Sequence, residues 1–285
     1  RPEWFNKKFS GLVVSDLDGT LVSRNREVQP SVLRALESLG DRNILRVVAT
    51  GRSLHSVRKL LPRNFPIDVL IFSCGAGTLC WKTGSLLKKH SLTETESAEL
   101  AAFLLKRRDL CFMLHREIPE NHHFLYFQTH SPPEDFVRRL DLNRSYAEEL
   151  KAGWPAETRA TQAIVIVRQT EASIYEELKS TLRNYSVIRT TSPLDHASIW
   201  IEVFPHDVSK GRTTNWLAEQ LGVRSSFAMG MGNDYNDTDL LDWAGAAFVV
   251  SEAPETLKGR YRVVGSCEAG GAAQAIELWL RERFG

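Results

Sequence analysis

The sequence predicts an α/β protein: a parallel sheet wrapped by helices, interrupted by an α+β insert. Three observations carry this. Up to about residue 82, and again after residue 204, short apolar runs alternate with amphipathic helical stretches, the rhythm of right-handed βαβ units. Between those points strands come in neighbouring pairs separated by helices, which reads as a separate α+β domain. The first apolar run, Leu12-Val13-Val14, ends at Ser15 and is followed by Asp16 and Asp18, placing two acids at the carboxyl edge where open α/β sheets hold ligands.

In chain order, Pro30–Leu39 is expected to be a helix, with Pro30 in its first turn, Val32, Leu33, Leu36 and Leu39 as its apolar stripe and Gly40 as its stop. Ile44–Ala49 is the second strand, ending in Thr50-Gly51-Arg52, and Ser53–Leu61 is the next helix, closed by Pro62. Val69–Phe72 is the third strand. The insert, 83–204, holds a helix at Thr95–Arg108 and strands at Phe112–Arg116 and Phe124–Thr129. A helical stretch at Glu134–Leu150 follows, with a break near Asn143, then a strand at Ala163–Val167 and a helix at Glu171–Leu182. Strands at Val187–Thr190 and Ser198–Phe204 complete it. The core, 1–82 and 205–285, resumes with the helix Gly211–Leu221 and the strand Phe227–Met231. The helix Thr238–Trp243, the strand Ala246–Val250 and a terminal helix Ala272–Phe284 end the chain.

Composition bounds the function. The 285 residues suffice for two modest domains. A net charge of +1 gives no global field for nucleic acid or an anionic membrane, and no apolar run approaches the roughly 18–20 residues of a membrane helix. Arg1-Pro2-Glu3-Trp4-Phe5 has no apolar core after its charge and does not read as a signal peptide. The chain does not begin with Met, so a processed chain or a piece of a longer one is expected. Cys74, Cys80, Cys111 and Cys267 form no Cys-x-x-Cys pair; they read as reduced thiols, hence a cytoplasmic protein. Oligomeric state is not legible.

The chemistry gathers in four places. Two carboxylates as close as Asp16 and Asp18 repel each other unless a cation sits between them. Mg²⁺, hard and oxygen-seeking, is the expected cation; an acidic turn is the alternative for a bare Asp-x-Asp. Thr50 and the Gly51 amide could donate to a phosphate, although capping of the next helix by Thr50 or Ser53 would also account for them. Lys210 stands at a helix start, where a cation opposes the helix dipole unless an anion is close. Gly232-Asn233-Asp234-Tyr235-Asn236-Asp237 brings acids and amides to another strand end, enough to complete a metal shell, or simply to make an Asn/Asp-rich turn.

Asp16-Leu17-Asp18-Gly19-Thr20, Thr50-Gly51-Arg52, Lys210-Gly211 and Gly232–Asp237, in this order, resemble the four motifs of the haloacid dehalogenase (HAD) superfamily of phosphohydrolases. Ile199-Trp200-Ile201-Glu202-Val203 before Lys210 is similar to the Cof-type, sucrose-phosphatase-like branch, whose type-IIB cap is inserted between motifs two and three. The resemblance implies a Rossmann-like core under a mobile cap, and a Mg²⁺-dependent phosphatase acting on a small phosphate ester, a sugar phosphate above all. It implies Asp16 as nucleophile and metal ligand, and Asp18 as general acid/base whose carbonyl also binds the metal. Thr50, Gly51 and Lys210 would hold phosphate, Asp237 would support the metal, and Arg52 and Asn236 would reach substrate. Asn233 falls where the family carries its metal-binding Asp, with Asp234 as the alternative ligand or as support behind it. Cys74 stands where the branch usually has Asn, which removes any contact from that Asn. Arg116, His122, His123, Arg189, Asp195 and His196 are conceivable cap contacts, though each reads more simply as a surface residue. A phosphomutase on the same fold, or a binding module that has lost catalysis, would fit the same pattern. Neither nucleic acid nor a membrane is expected as partner.

Overall fold

The computed structural model describes residues 7–151 and 153–285; the N-terminal pentapeptide read above lies outside them. The chain divides into two compact units, Arg1–Lys88 with Ser209–Gly285, and Lys89–Val208.

The first unit opens with β1 (Gly11–Ser15), α1 (Pro30–Asp41), β2 (Ile44–Ala49), α2 (Leu54–Leu60) and β3 (Val69–Phe72). The helix α1 buries Val32, Leu36 and Leu39 of the expected stripe, with Ala35 in place of the half-buried Leu33, and runs through Gly40 to Asp41; the reversal comes at Asn43, with φ of 56°. Two further strands, β4 (Gly77–Cys80) and β5 (Leu86–Lys89), extend this sheet beyond β3. Both escape the sequence pattern, because β4 is only four residues long and β5, Leu-Leu-Lys-Lys, does not alternate cleanly.

The second unit runs α3 (Glu94–Lys106), β6 (Cys111–Arg116), β7 (Phe124–Phe127), α4 (Glu134–Leu142), β8 (Ala147–Glu149), β9 (Ala160–Val167), α5 (Ser173–Thr181), β10 (Tyr185–Thr191) and β11 (Ile199–Pro205). Its six strands lie in the order β10-β11-β9-β6-β7-β8. One face packs Phe112, Leu114, Val165 and Ile201 against Leu100 and Leu104 of α3 and Leu178 of α5. The other packs Met113, Ile164 and Trp200 against Phe136 and Leu140 of α4. The expected helix Glu134–Leu150 is corrected here: it stops at Leu142, and 147–149 form a strand parallel to β7. Asn143 ends the helix by donating its side-chain amide to the Arg139 carbonyl (2.8 Å), a local bond that competes with the helical ladder. The residues beyond pair with β7 despite their helical propensity.

The first unit resumes with α6 (Lys210–Leu221), β12 (Ala228–Gly232), α7 (Thr238–Trp243), β13 (Ala246–Val249), α8 (Glu255–Lys258), β14 (Arg262–Val263) and α9 (Gly271–Phe284). Its eight strands run β14-β13-β12-β1-β2-β3-β4-β5. The strands from β14 to β3 are parallel, and β4 turns back antiparallel to β3. The α/β reading thus holds, with an antiparallel margin added. Leu12, Val14, Leu45, Val47, Val69 and Ile71 share one buried cluster with Leu217 of α6 and Leu240 of α7. No helix of the described residues is long and apolar enough to cross a membrane.

Candidate active site

The central strand β1 lies between β2 and β12, so the ends of these three strands share one edge. Asp16 follows β1 directly, its amide donating to the Met231 carbonyl (2.9 Å) on β12. Thr50 follows β2 and is buried. The turn 232–237 follows β12. Three segments distant in sequence therefore meet because parallel strands point their carboxyl ends the same way.

Two glycines make room. Gly19 has φ of 73°, and a Cβ there would lie 2.5 Å from the Asn233 side-chain nitrogen. A Cβ on Gly232 would sit 2.4 Å from the Asp237 carboxyl carbon. The first motif touches the 232–237 turn at Gly19, and the turn folds onto its own Asp237 at Gly232; a side chain at either position would force these groups apart.

Lys210 begins α6 behind its N-cap, Ser209, whose hydroxyl accepts from the Arg212 amide (3.2 Å). The Asp239 carboxylate accepts from the Gly211 amide (2.8 Å) and ties the start of α6 to α7. The Lys210 side chain is 1% exposed and donates to Asp16 Oδ1 at 2.5 Å and Asp237 Oδ1 at 2.6 Å. The cation expected to oppose the helix dipole thus has two anions against it. Burial works against its charge, but Asp16 and Asp237 more than offset this and hold its pKa well above the usual lysine range. Asp237 is fully buried, and its other oxygen accepts from the Asn233 and Asp234 amides (2.9 and 3.1 Å).

Burial raises the Asp16 carboxyl to about 7; Lys210 pulls against it, and Asp237 and Asp18 push it further up. Asp18 is met by Arg52 in bidentate fashion, Nε to Oδ2 at 2.7 Å and Nη2 to Oδ1 at 2.6 Å. Arg52 also donates to the Ser56 hydroxyl (2.8 Å). Its guanidinium is therefore turned onto Asp18, where the sequence left it facing substrate. Ser53 caps α2 by accepting from the Ser56 amide, while the Thr50 hydroxyl accepts from the Arg52 amide (3.2 Å). Asn236 is buried in the same turn as Asp237. Cys74 is buried with φ of 52°, a conformation that Asn tolerates better than most residues.

A hard dication fits this donor set. The carboxylates of Asp16, Asp18 and Asp237 face the cations of Lys210 and Arg52, which leaves anionic charge over; Asp16, raised first by burial, is pushed up further by Asp237 and Asp18. The two geometries at 233 and 234 differ. Asn233 lies against Gly19, whereas the Asp234 side chain accepts from the Asp237 amide in a capping box.

Sequence reasoning missed two positioning groups, Ser209 and Asp239. Ser209 carries a legible signal, a hydroxyl residue ahead of a helix. Asp239 carries none, since its partner lies 28 residues away.

A parallel sheet bearing paired acids, a buried ammonium and an oxygen-rich turn at one edge defines a hydrolase core of the Rossmann-like kind. The family model of haloacid dehalogenase-like hydrolases matches residues 13–276, and the chain belongs to that family. Among its relatives are the HMP-PP phosphatase of Serratia proteamaculans, 24% identical over 279 residues and 96% of each chain. Another is the 5-amino-6-(5-phospho-D-ribitylamino)uracil phosphatase YwtE of Bacillus subtilis, 25% identical over 95% of this chain and 99% of its own. The fold is shared with BT1666 from Bacteroides thetaiotaomicron, a phosphatase of the superfamily, at 20% identity and a TM-score of 0.74 over 98% of this chain and 97% of that one. It is also shared with the HAD subclass IIB sugar phosphatase BT4131, at 20% identity and a TM-score of 0.72 over 94% and 98%.

Proposed function

We propose that this haloacid dehalogenase-family phosphatase hydrolyses a small phosphorylated metabolite, a sugar phosphate, through an aspartyl-phosphate on Asp16. The observation that carries the reading is the buried Lys210 ammonium bridging Asp16 and Asp237 (2.5 and 2.6 Å). A nucleophilic carboxylate and a phosphate dianion repel each other, and a fixed cation between them lowers that cost. Relatives named for small phosphate esters, and a structural neighbour described as a sugar phosphatase, support the substrate class.

Asp16 attacks phosphorus, and the ester oxygen leaves. Asp18 gives that oxygen a proton and then takes one from the water that hydrolyses the acyl phosphate. For this Arg52 must release the Asp18 carboxylate, and the incoming phosphate oxygens are its natural next partner. Thr50 and the Gly51 amide orient the phosphate, and Lys210 offsets its charge. Mg²⁺ would be held by Asp16, the Asp18 carbonyl and Asn233, with Asp237 in support, and supplies charge stabilisation to the phosphoryl oxygens. The thiols of Cys74, Cys80, Cys111 and Cys267 are buried and form no disulfide, which suits a reducing compartment, the cytoplasm.

The test is Asp16→Asn, assayed for phosphate release from a panel of sugar, polyol and nucleotide phosphates with Mg²⁺. Turnover should fall by roughly three orders of magnitude or more, as when a covalent nucleophile is removed, with the fold intact. A variant that retains more than a few per cent of activity overturns the covalent mechanism.

A further inference from the structure

The β6–β7 connection carries a second cluster of ligand-type side chains, apart from the residues above. Glu120, His122 and His123 each present one ligand atom, and these atoms lie within 4.8 Å of one another. His122 Nε2 is 3.9 Å and His123 Nε2 3.7 Å from Glu120 Oε2.

Side chains of neighbouring residues usually diverge, so two imidazoles on consecutive residues need a reason to meet. Here the His123 amide donates to the Glu120 carbonyl (2.9 Å) and closes a turn that folds both rings onto the glutamate side. The ring centroids are 4.3 Å apart. Tyr146 packs edge-on to both, at 5.1 and 5.2 Å. The turn is pinned at three further points. The Glu120 amide donates to the Glu117 carbonyl (2.8 Å), and the Arg116 amide to the His123 carbonyl (2.9 Å). The Asn121 carbonyl lies 2.8 Å from His115 Nδ1.

We infer that Glu120, His122 and His123 bind a zinc-class divalent cation, Zn²⁺ itself being the first choice. Two imidazole nitrogens and one carboxylate oxygen are a common three-residue zinc set, leaving a fourth position for water. Mg²⁺ and Ca²⁺ favour all-oxygen shells and are poor competitors for it. Tetrahedral coordination at zinc bond lengths puts ligand atoms about 3.4 Å apart, so the two Glu120 spacings must close by a few tenths of an ångström, and the two imidazole nitrogens, within 4.8 Å of each other, by at most about 1.4 Å. Glu120 and His123, whose side chains are 62% and 40% exposed, can supply that movement, while the His122 side chain, 17% exposed, stays in place. A bound ion would clamp the β6–β7 turn and resist its local opening.

The experiment uses the full chain, stripped of metal and titrated with ZnCl₂ by calorimetry, with excess MgCl₂ present to occupy the Asp16 centre. About one equivalent of Zn²⁺ should bind and should raise the melting temperature, as a ligand selective for the native state does. His123→Gln and Glu120→Gln, both at well-exposed side chains, should each weaken binding at least tenfold with metal-free melting unchanged. Co²⁺ in place of Zn²⁺ should give the visible spectrum of a four-coordinate ion, lost in His123→Gln. Absence of Zn²⁺ uptake under these conditions overturns the proposal. So does uptake that survives His123→Gln and disappears in Asp16→Asn, which would place the ion in the hydrolase centre.

Discussion

Replacing Lys210 by Met deletes one charge and keeps most of the side-chain volume. The ammonium is 1% exposed, and its partners, Asp16 and Asp237, are 8% and 0% exposed in their side chains. Breaking a buried ion pair from one side costs about 3–5 kcal/mol, because the partner charge stays buried and unpaired. Asp237 keeps two backbone donors on its other oxygen, so Asp16 bears most of the loss. Its carboxyl, already raised to about 7 by burial, should climb further without Lys210. A carboxyl with a native pKa above its unfolded one binds more protons in the native state over that interval, so its contribution to stability falls as pH rises. The Lys210→Met defect should therefore be larger at pH 8 than at pH 5. Native-state hydrogen exchange at β1 and β12, in urea and EDTA, reads the first unit separately from the second. Asp16→Asn combined with Lys210→Met should recover much of the loss, since removing both partners is far cheaper than removing one. A defect below about 1 kcal/mol at pH 8, or one that grows toward pH 5, would refute the reasoning.

Three further outcomes are expected. Asp18→Asn should slow alkyl phosphates more than aryl phosphates, because only poor leaving groups need a proton; equal losses would make Asp18 a group that shapes the site and not an acid. Asn233→Ala should raise the Mg²⁺ concentration for half-maximal activity roughly ten- to a hundredfold, and Asn233→Asp should lower it. If Asp234→Ala abolishes the Mg²⁺ dependence while Asn233→Ala leaves it unchanged, Asp234 is the ligand. His115, held by burial and then by Arg139 at a pKa of about 3, lies far below an unfolded histidine near 6.5. The unfolded state then binds the extra proton, and full stability above pH 6.5 declines as pH falls, by about 2 kcal/mol at pH 5. His115→Asn should flatten that decline in urea titrations of the second unit, and an unchanged pH dependence would exclude His115 as its source.

The sequence is most legible where structure and chemistry are both local. An apolar run ending in Asp16-Leu17-Asp18-Gly19 states a strand, an edge and a charge problem within a few residues, and β1, β2, β3 and β12 lie close to where their patterns put them. What stayed hidden depends on partners far away in the chain. Ala147–Glu149 reads as helix until β7 pairs with it. Thr78 and Leu79 carry no strand pattern of their own and join the sheet because β3 lies alongside. The Arg52–Asp18 pair spans 34 residues, and no periodicity records which side chain a guanidinium will choose.

The turn after β12 was ambiguous by a single residue, and that ambiguity has a physical origin. A short helical turn at Tyr235–Asp237 needs an acceptor one position ahead of it, and Asp234 stands there with its side chain on the Asp237 amide. An acid so engaged serves its own backbone first. Asn233 has no such duty; it rests on Gly19, beside the first motif. Both backbone amides, 233 and 234, turn inward onto Asp237, whose other oxygen meets Lys210. An acid at 234 and not at 233 thus keeps a negative charge away from Gly19 and the first motif and gives a firmer hold on Asp237. Asp16 is already crowded by Asp18 and Asp237, and a third acid at 233 would crowd it more unless a dication were always present. On the ligand set proposed above, a neutral amide at 233 would let the site stay assembled between metal-binding events and would weaken metal affinity, which is the trade the Asn233→Asp titration measures.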